Sequence, residues 1–510
     1  MASTARSGDS TAAGTAPDAA GREKADAAKL LDLVFGAEVL AAIHEGFLKD
    51  GDYRGVLPLL GTSATANAHV RAATQAAFEE ACAAGEAGVA GLCLAHAGVD
   101  GDTHAGGGSD TVLTAAARRG DGAMVRVLAA AGKKVNVNWP TSASCSSALA
   151  VASGEGHAEC VGALLAVDGV DANHATDQAG NTALILASEA GHAEVVEALL
   201  AVDGIDANRA DDNGWTALIC ASQKGHAEVV RALLAVDGID ANLATDRGAT
   251  ALIFASQEGH TEVVRALLAV DGIDANRADN NGATALIQAS CGGHTEVVRA
   301  LLAVDGIGAN HANINGYTAL FLASDRGHGE IVRALLAVDR IDVNHVSALG
   351  SSALKMAAAN WHVTCVRALV AAKGIDLNLA SQIDGHTALH LACVHRFLCT
   401  ARVETVELLL TAGGCRFRRT HAGNTPLDME AGDVRVRKVF ASGVDYWQRL
   451  RHCGHGWGMK EAVMTVLLVR QRADHLDAGA SVCLPEELWL KALAFLRSAD
   501  FMPPAAVCFH

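Results

Sequence analysis

The sequence predicts an all-α solenoid built from one repeated pair of helices, and two observations carry that expectation. Thr182, Thr216, Thr250, Thr284, Thr318 and Ser352 each stand before Ala-Leu, and every step between them is 34 residues. A fixed period of that length marks a chain that stacks small units along a shared core instead of closing one globule. The content of the steps repeats as well: NTALILASEAGHAEVVEALLAVDGIDAN and ATALIFASQEGHTEVVRALLAVDGIDAN differ at only a few fixed columns. Size agrees, since 510 residues, half of them apolar, exceed what a single compact core holds.

Taken in order, residues 1–25 are rich in Ala, Ser, Thr and Gly with no large apolar residue beyond the initiator, and they read as a disordered tail. They lack the apolar run of a secretory signal, and Asp9, Asp18 and Glu23 argue against an organelle transit peptide. A helical segment is expected over 26–73, the repeats over 74–432, and a second helical segment over 433–510. Looser copies extend the regular steps upstream to Ser147, Thr111 and about Ala76, and downstream to Thr387 and Thr425.

Inside one step, Thr216 is placed to cap a short first helix with its hydroxyl, and Gly225 to end it in the left-handed conformation. A second helix from about Ala227 to Val236 sets Val229, Val230, Leu233 and Leu234 along one apolar stripe that must pack on neighbours. Gly238 is expected to end it. The turn formers Asp246, Arg247 and Gly248 then project a hairpin-like finger before the next pair.

These residues resemble the ankyrin-repeat family, whose unit reads roughly D-x-x-G-x-T-P-L-H-x-A-x-x-x-G-H-x-E-V-V-x-x-L-L. The likeness spans about Thr74 to Gly432 and recurs about ten times, ten to eleven units with the degenerate copies. The chain writes Thr-Ala-Leu for Thr-Pro-Leu, recovering proline at Pro426, and keeps the family histidine only at His390. An insertion lies around Arg396 to Val403, and Arg340 replaces the helix-ending glycine. The resemblance implies an ankyrin-repeat solenoid flanked by helical end segments, and a scaffold that binds other proteins through fingers and inner helices lining a concave face.

Candidate binding residues are therefore sought in the columns that vary between near-identical units. The residue after the finger glycine runs through Asn181, Trp215, Tyr317 and His386, and a first-helix column through Glu189, Gln223, Gln257 and Asp325. Aromatic residues are only 4% of the chain, which makes Trp215 and Tyr317 natural anchors. The column His157, His192, His226, His260, His294 and His328 is not read as a metal site, because packed helices ~8–10 Å apart hold neighbouring imidazoles too far apart to share one ion. The resemblance gives those histidines a hydrogen bond that ties the inter-helix turn. Glu and Arg at Glu228 and Arg231, and in the copies Glu262 and Arg265, Glu296 and Arg299, Glu330 and Arg333, form i,i+3 pairs on a solvated face.

No motif for a catalytic residue, cofactor or metal stands out. Cys415, His421, His452, Cys453 and His455 are ligand types without a recognised spacing, and GHGWG and HAGGGSD precede no phosphate-binding lysine. A formal charge of −17 is the wrong sign for nucleic acid or an anionic membrane surface, and no apolar run reaches the roughly 20 residues of a membrane helix. Thirteen cysteines without a C-x-x-C pair fit reduced thiols, hence an intracellular chain of cytoplasm or nucleus.

The last expectation concerns LPEELWLKALAFLRSADF, Leu484 to Phe501, which resembles the opening of an F-box, with Leu484, Pro485, Glu487, Leu488, Leu493, Leu496 and Asp500 at matching positions. It is short of a full F-box and resembles the shortened ones that end poxviral ankyrin proteins. A looser echo runs from Glu38 to Leu60. The resemblance implies an alternative function as a substrate-recruiting adaptor that docks on the Skp-type linker of a cullin ubiquitin ligase. Solenoid caps would account for the same two segments.

Overall fold

A computed structural model describes residues 64–441, apart from 96–98, 104–109, 133–134, 139–145, 176–178, 395–398 and 431. The expected tail over 1–25, the echo at 38–60 and the F-box-like motif at 484–501 lie outside the described residues. The chain divides into two compact units, Met1–Ala285 and Leu286–His510.

The first unit opens with α1 (Ala64–Ala84) and α2 (Ala87–Ala95), followed by α3 (Val112–Arg119) and α4 (Gly122–Ala130), then α5 (Ala148–Gly154) and α6 (Ala158–Leu165). The regular pairs are α7 (Ala183–Ala190) with α8 (Ala193–Leu200), α9 (Ala217–Lys224) with α10 (Ala227–Leu234), and α11 (Ala251–Glu258) with α12 (Thr261–Leu268). First helices pack on first helices, α9 lying between α7 and α11, and second helices on second helices, α10 between α8 and α12. The second unit repeats the plan from α13 (Ala285–Gly292) and α14 (Thr295–Leu302) through α15 (Ala319–Arg326), α16 (Gly329–Leu336), α17 (Ala353–Ala359), α18 (Val363–Val370), α19 (Ala388–Val394) and α20 (Thr400–Ala412). A further helical turn pair covers 434–441.

Local chemistry explains each boundary. The Thr216 hydroxyl accepts from the Ile219 N–H at 3.3 Å, and Thr182, Thr250 and Thr318 do the same for Ile185, Ile253 and Phe321. Gly225 ends α9 at φ 82°. The second helix stops earlier than the sequence suggests, at Leu234, because the Val236 N–H bonds Leu233 O and tightens the last turn to i→i+3 spacing. Gly238 lies beyond it, at φ 82°, in the turn leading to the finger.

The core is the stripe of the second helices against the first. Leu199, Leu233 and Leu267 in the first unit, and Leu301 in the second, are 0% exposed. No helix pair could bury these faces alone, so each unit's stability is a sum of neighbour contacts. One column is at odds with that core: Ser153, Ser188, Ser222 and Ser256 in the first unit, and Ser290 and Ser324 in the second, are fully buried with hydroxyls that have no hydrogen-bond partner.

Within each unit, two polar ladders tie one helix pair to the next. The Asn208 carboxamide donates to Gly238 O at 2.9 Å and accepts from the Asp240 N–H at 2.8 Å, and Asn173 and Asn242 bridge their own neighbours the same way. Asn310 and Asn344 do so in the second unit. The irregular Arg340 keeps the glycine conformation, φ 62°, and its carbonyl still accepts from Asn310, so the substitution leaves the ladder intact. Among the described residues no helix is long and apolar enough to cross a membrane.

Truncation of Leu267 to Ala should destabilise the folded chain by about 2–5 kcal/mol in chemical denaturation; a neutral result would contradict the shared core. Ser222→Ala should instead stabilise by about 1 kcal/mol, since it removes a buried hydroxyl that gains nothing in return; a loss of that size would show the hydroxyl to be bonded.

Candidate interaction surface

The histidine column forms the second ladder, and its role is more specific than a tie within one turn. His226 Nε2 lies 3.0 Å from Glu189 O, His260 Nε2 3.0 Å from Gln223 O, and His362 Nε2 2.9 Å from Asp325 O. Each imidazole thus reaches back to the preceding pair and satisfies a carbonyl left open at the end of its first helix. A Cβ on Gly225 would stand 2.5 Å from His260 Nδ1, and one on Gly191 2.6 Å from the His226 ring. The turn glycine is therefore needed both for its positive φ and to admit the next histidine. The rings of His157, His192, His226, His260, His328 and His362 are each within hydrogen-bond reach of a backbone carbonyl of the preceding pair, and this column is a fastener.

Fingers are built by side chains that bond their own loop. Asp211 Oδ1 accepts from the N–H groups of Asn213 at 2.8 Å and Trp215 at 2.7 Å, and Asn313 does likewise for Asn315 and Tyr317. Fingers are also joined to one another by backbone bonds: Asp212 N–H to Ala179 O and Asp246 N–H to Asn213 O in the first unit, Ala348 N–H to Asn315 O and His421 N–H to Asp384 O in the second.

On this frame the first unit carries Asn181, Glu189, Trp215, Gln223 and Gln257, and the second carries Tyr317, Asp325 and His386. Glu189 and Gln257 are exposed, whereas the others are half-buried. Glu189 pairs with Lys224 at 3.6 Å, and Asp325 accepts from Asn360 Nδ2 at 3.0 Å, so the first-helix column is partly held by the next pair. Trp215 lies tilted by 30° against Phe254 of the following pair with centroids 4.7 Å apart, and Tyr317 stacks on Phe321 at 4.6 Å. Each of the two aromatics is thus backed by a second ring.

A third variable column went unread in the sequence. Leu186, Cys220 and Phe254 in the first unit, and Gln288, Leu322, Met356 and Leu391 in the second, follow one another at the middle of the first helices. All but the buried Cys220 are half-exposed, beside the finger residues. Their signal was available in the aligned steps, where this column varies as much as the finger column does. Glu262 to Arg265, Glu296 to Arg299 and Glu330 to Arg333 close at 3.1, 2.6 and 3.4 Å on the exposed second helices, as their spacing suggests.

The second unit replaces the aliphatic residue of the first helical turn by Lys355 and His390. Lys355 is 3% exposed and donates from Nζ to Gly350 O at 2.6 Å; burial lowers its pKa, against the pull of Asp384. Asp384 resists burial through bonds from the His386 N–H, the His386 ring at 2.6 Å and Ser381, which together hold its carboxyl below the usual range. His390 Nδ1 accepts from the Thr387 N–H at 3.2 Å and from its hydroxyl at 2.8 Å, leaving Nε2–H for Asn424 O at 3.2 Å. Burial, chiefly, lowers its pKa.

That arrangement needs a neutral ring. The unfolded chain takes up a proton at His390 near pH ~6.5 while the folded chain resists, so stability is lost as the pH falls through that range. Thermal unfolding at about pH 7.5 and 5.5 should show a drop on acidification that His390→Gln reduces; an unchanged drop would take His390 out of the account.

Nothing in these columns is arranged for covalent chemistry. The described cysteines are free, and burial pushes the thiols of Cys82, Cys93, Cys220 and Cys393 up to about 12, which keeps them protonated and unreactive. Among the described residues no three His, Cys, Asp or Glu side chains are grouped to hold a metal ion.

Comparison with known proteins places this frame. The family model for ankyrin repeats (3 copies) matches residues 148–245, 236–311 and 305–381, and the single ankyrin-repeat model matches 384–420. No curated protein matches the chain. Among solved structures, the crystal structure of the human ASB11 ankyrin repeat domain is 28% identical, over 44% of this chain and 96% of that one, with a TM-score of 0.38. With more than half of its residues matched by ankyrin models, each carrying the capped helix pair, glycine turn and finger described above, the chain is a member of the ankyrin-repeat family.

Proposed function

We propose that this protein is an interaction scaffold that holds partner proteins on its fingers and first helices. The observation that carries the reading is the division of labour between columns. Residues that fasten one pair to the next recur almost without change, while Trp215, Tyr317, Glu189, Gln257 and the half-exposed Leu186, Phe254 and Leu322 change from step to step on the same side as the fingers. Half-buried aromatic and aliphatic side chains amid polar ones are what a protein partner needs for anchoring, since a few such residues dominate interface energetics. Ankyrin repeats generally mediate protein–protein interactions, which agrees with this reading. The test is affinity purification followed by binding measurements with the captured partner. Glu189→Arg with Gln257→Arg should weaken binding tenfold or more, whereas Arg265→Glu on the second helices should leave it unchanged. The opposite pattern would move the site to the other face.

A second reading rests on the F-box-like matches Leu484, Pro485, Leu488, Leu493, Leu496 and Asp500. In it the protein is an adaptor whose end recruits the Skp-type linker of a cullin ubiquitin ligase while the repeats hold the substrate. Full-length protein should bind purified linker, and a chain ending at Ala480, or one with Leu488→Asp and Leu496→Asp, should not. Equal binding by the shortened chain would leave the segment as a cap, for which Leu427 and Val434, exposed near the end of the described residues, supply an apolar surface.

A further inference from the structure

The second helices carry ion pairs on their exposed sides, and in the first unit that pattern breaks at one place. The column concerned runs Arg126, Gly162, Glu197, Arg231 and Arg265. Its arginines close on the glutamate one turn earlier, as Arg265 does on Glu262 at 3.1 Å, or on the glutamate of the following helix, as Arg126 does on Glu159 at 2.6 Å. The helices that interrupt it, AECVGALL of α6 and AEVVEALL of α8, contain no lysine or arginine. Glu194 and Glu197 are both exposed and lack the counter-charge that the column supplies elsewhere.

Gly162 answers no structural need of α6. It sits inside the helix, where glycine is less favourable than alanine, and a Cβ added there would meet nothing within 4 Å. What the missing side chain leaves is room. A cleft of about 520 Å³ lies between α4 and α6, lined by Ala129 and Ala130 on one wall and by Gly162, Ala163 and Ala166 on the other, with the Arg126–Glu159 pair at its edge. The lining residues follow one another at spacings of three and four along each helix, so the cleft runs lengthwise between the two.

We infer that this cleft docks a basic amphipathic helix of a partner protein, with aliphatic side chains in the groove and lysine or arginine over Glu194 and Glu197. The site lies on the second helices, away from the fingers, and is independent of the scaffold reading above. Shape selects a helix: the walls present their small residues once per turn, every ~5.4 Å, and the apolar stripe of a helix repeats at that same rise. Charge selects a basic one. Packed helices stand ~8–10 Å apart, so a lysine on the flank of a helix seated over α4 and α6 reaches the carboxylates of the neighbouring α8. A small molecule finds no set of converging polar groups in a cleft lined chiefly by alanine. A second copy of this chain, at −17, brings the wrong charge.

The experiment uses the full chain and a fluorescent, alanine-based synthetic helix with leucines along one face and lysines on its flanks. It should bind. Gly162→Arg and Glu197→Arg each give the helix the residue that α10 and α12 already carry, so thermal unfolding should stay at or above the wild-type temperature while binding weakens at least tenfold. The same peptide with its leucines spread around the helix, or with glutamate in place of lysine, should bind at least tenfold more weakly. Absence of binding, equal binding of either control peptide, or indifference to Gly162→Arg and Glu197→Arg would overturn the inference. So would loss of the peptide with Glu189→Arg and Gln257→Arg, which would place it on the first helices instead. Self-association of the chain that Gly162→Arg abolishes would assign the cleft to a second copy and overturn it equally.

Discussion

One contact between successive pairs governs most of what is built here: an imidazole that occupies the space left by a missing Cβ. Gly225 ends α9, the ring of His260 fills the gap, and its nitrogen bonds the Gln223 carbonyl that the helix end leaves open. The helix end, the turn and the next pair are fixed by one arrangement, which requires both residues. Where the chain abandons it, other groups bond other carbonyls near the junction. Trp361 stands at the left-handed position with φ 53°, its indole N–H reaches Ala392 O at 3.4 Å, and the fully buried Arg402 donates to Ala392 O and Cys393 O. The Arg402 charge is opposed by Glu430 at 3.7 Å.

Because most of the fastening is done by backbone carbonyls, by glycine and by two recurring side chains, many of the remaining exposed side chains of the first helices and fingers carry little structural duty. Gln223 and Asp325 lend their carbonyls to the histidine ladder while their side chains stay at the surface. The asparagine ladder does the same at the other end of each unit, where the finger begins. A scaffold of this kind tolerates exchange of its exposed residues with little effect on stability, and specificity can then be set at single positions.

Much of this was legible in the sequence, for physical reasons. The threonine cap, the glycine stop and the valine and leucine stripe act within a few residues of themselves, so spacing alone reveals them. The histidine bond was legible as a bond, but its acceptor lies more than thirty residues back, in the preceding pair. Asn208 was unread because an asparagine in a turn is ordinarily a local turn former, and its partners belong to the next pair. Leu186 and Phe254 sit on short apolar helices, and only the neighbouring helices and Trp215 decide that one side of each stays open. The replacement of a glycine turn by Trp361 and Arg402 is likewise spread over residues 361–402, too far for any local pattern.

The near-identity of consecutive steps in the first unit has an evolutionary side. Between Thr182 and Leu268 the surfaces that meet at one junction are almost the same as those at the next, so Leu200 can be followed by either neighbour's finger and find the same glycine, histidine and asparagine waiting. Removing or duplicating a block of 34 residues there rejoins matching surfaces. Such a change would alter the number of fingers while leaving the junctions between pairs as they are.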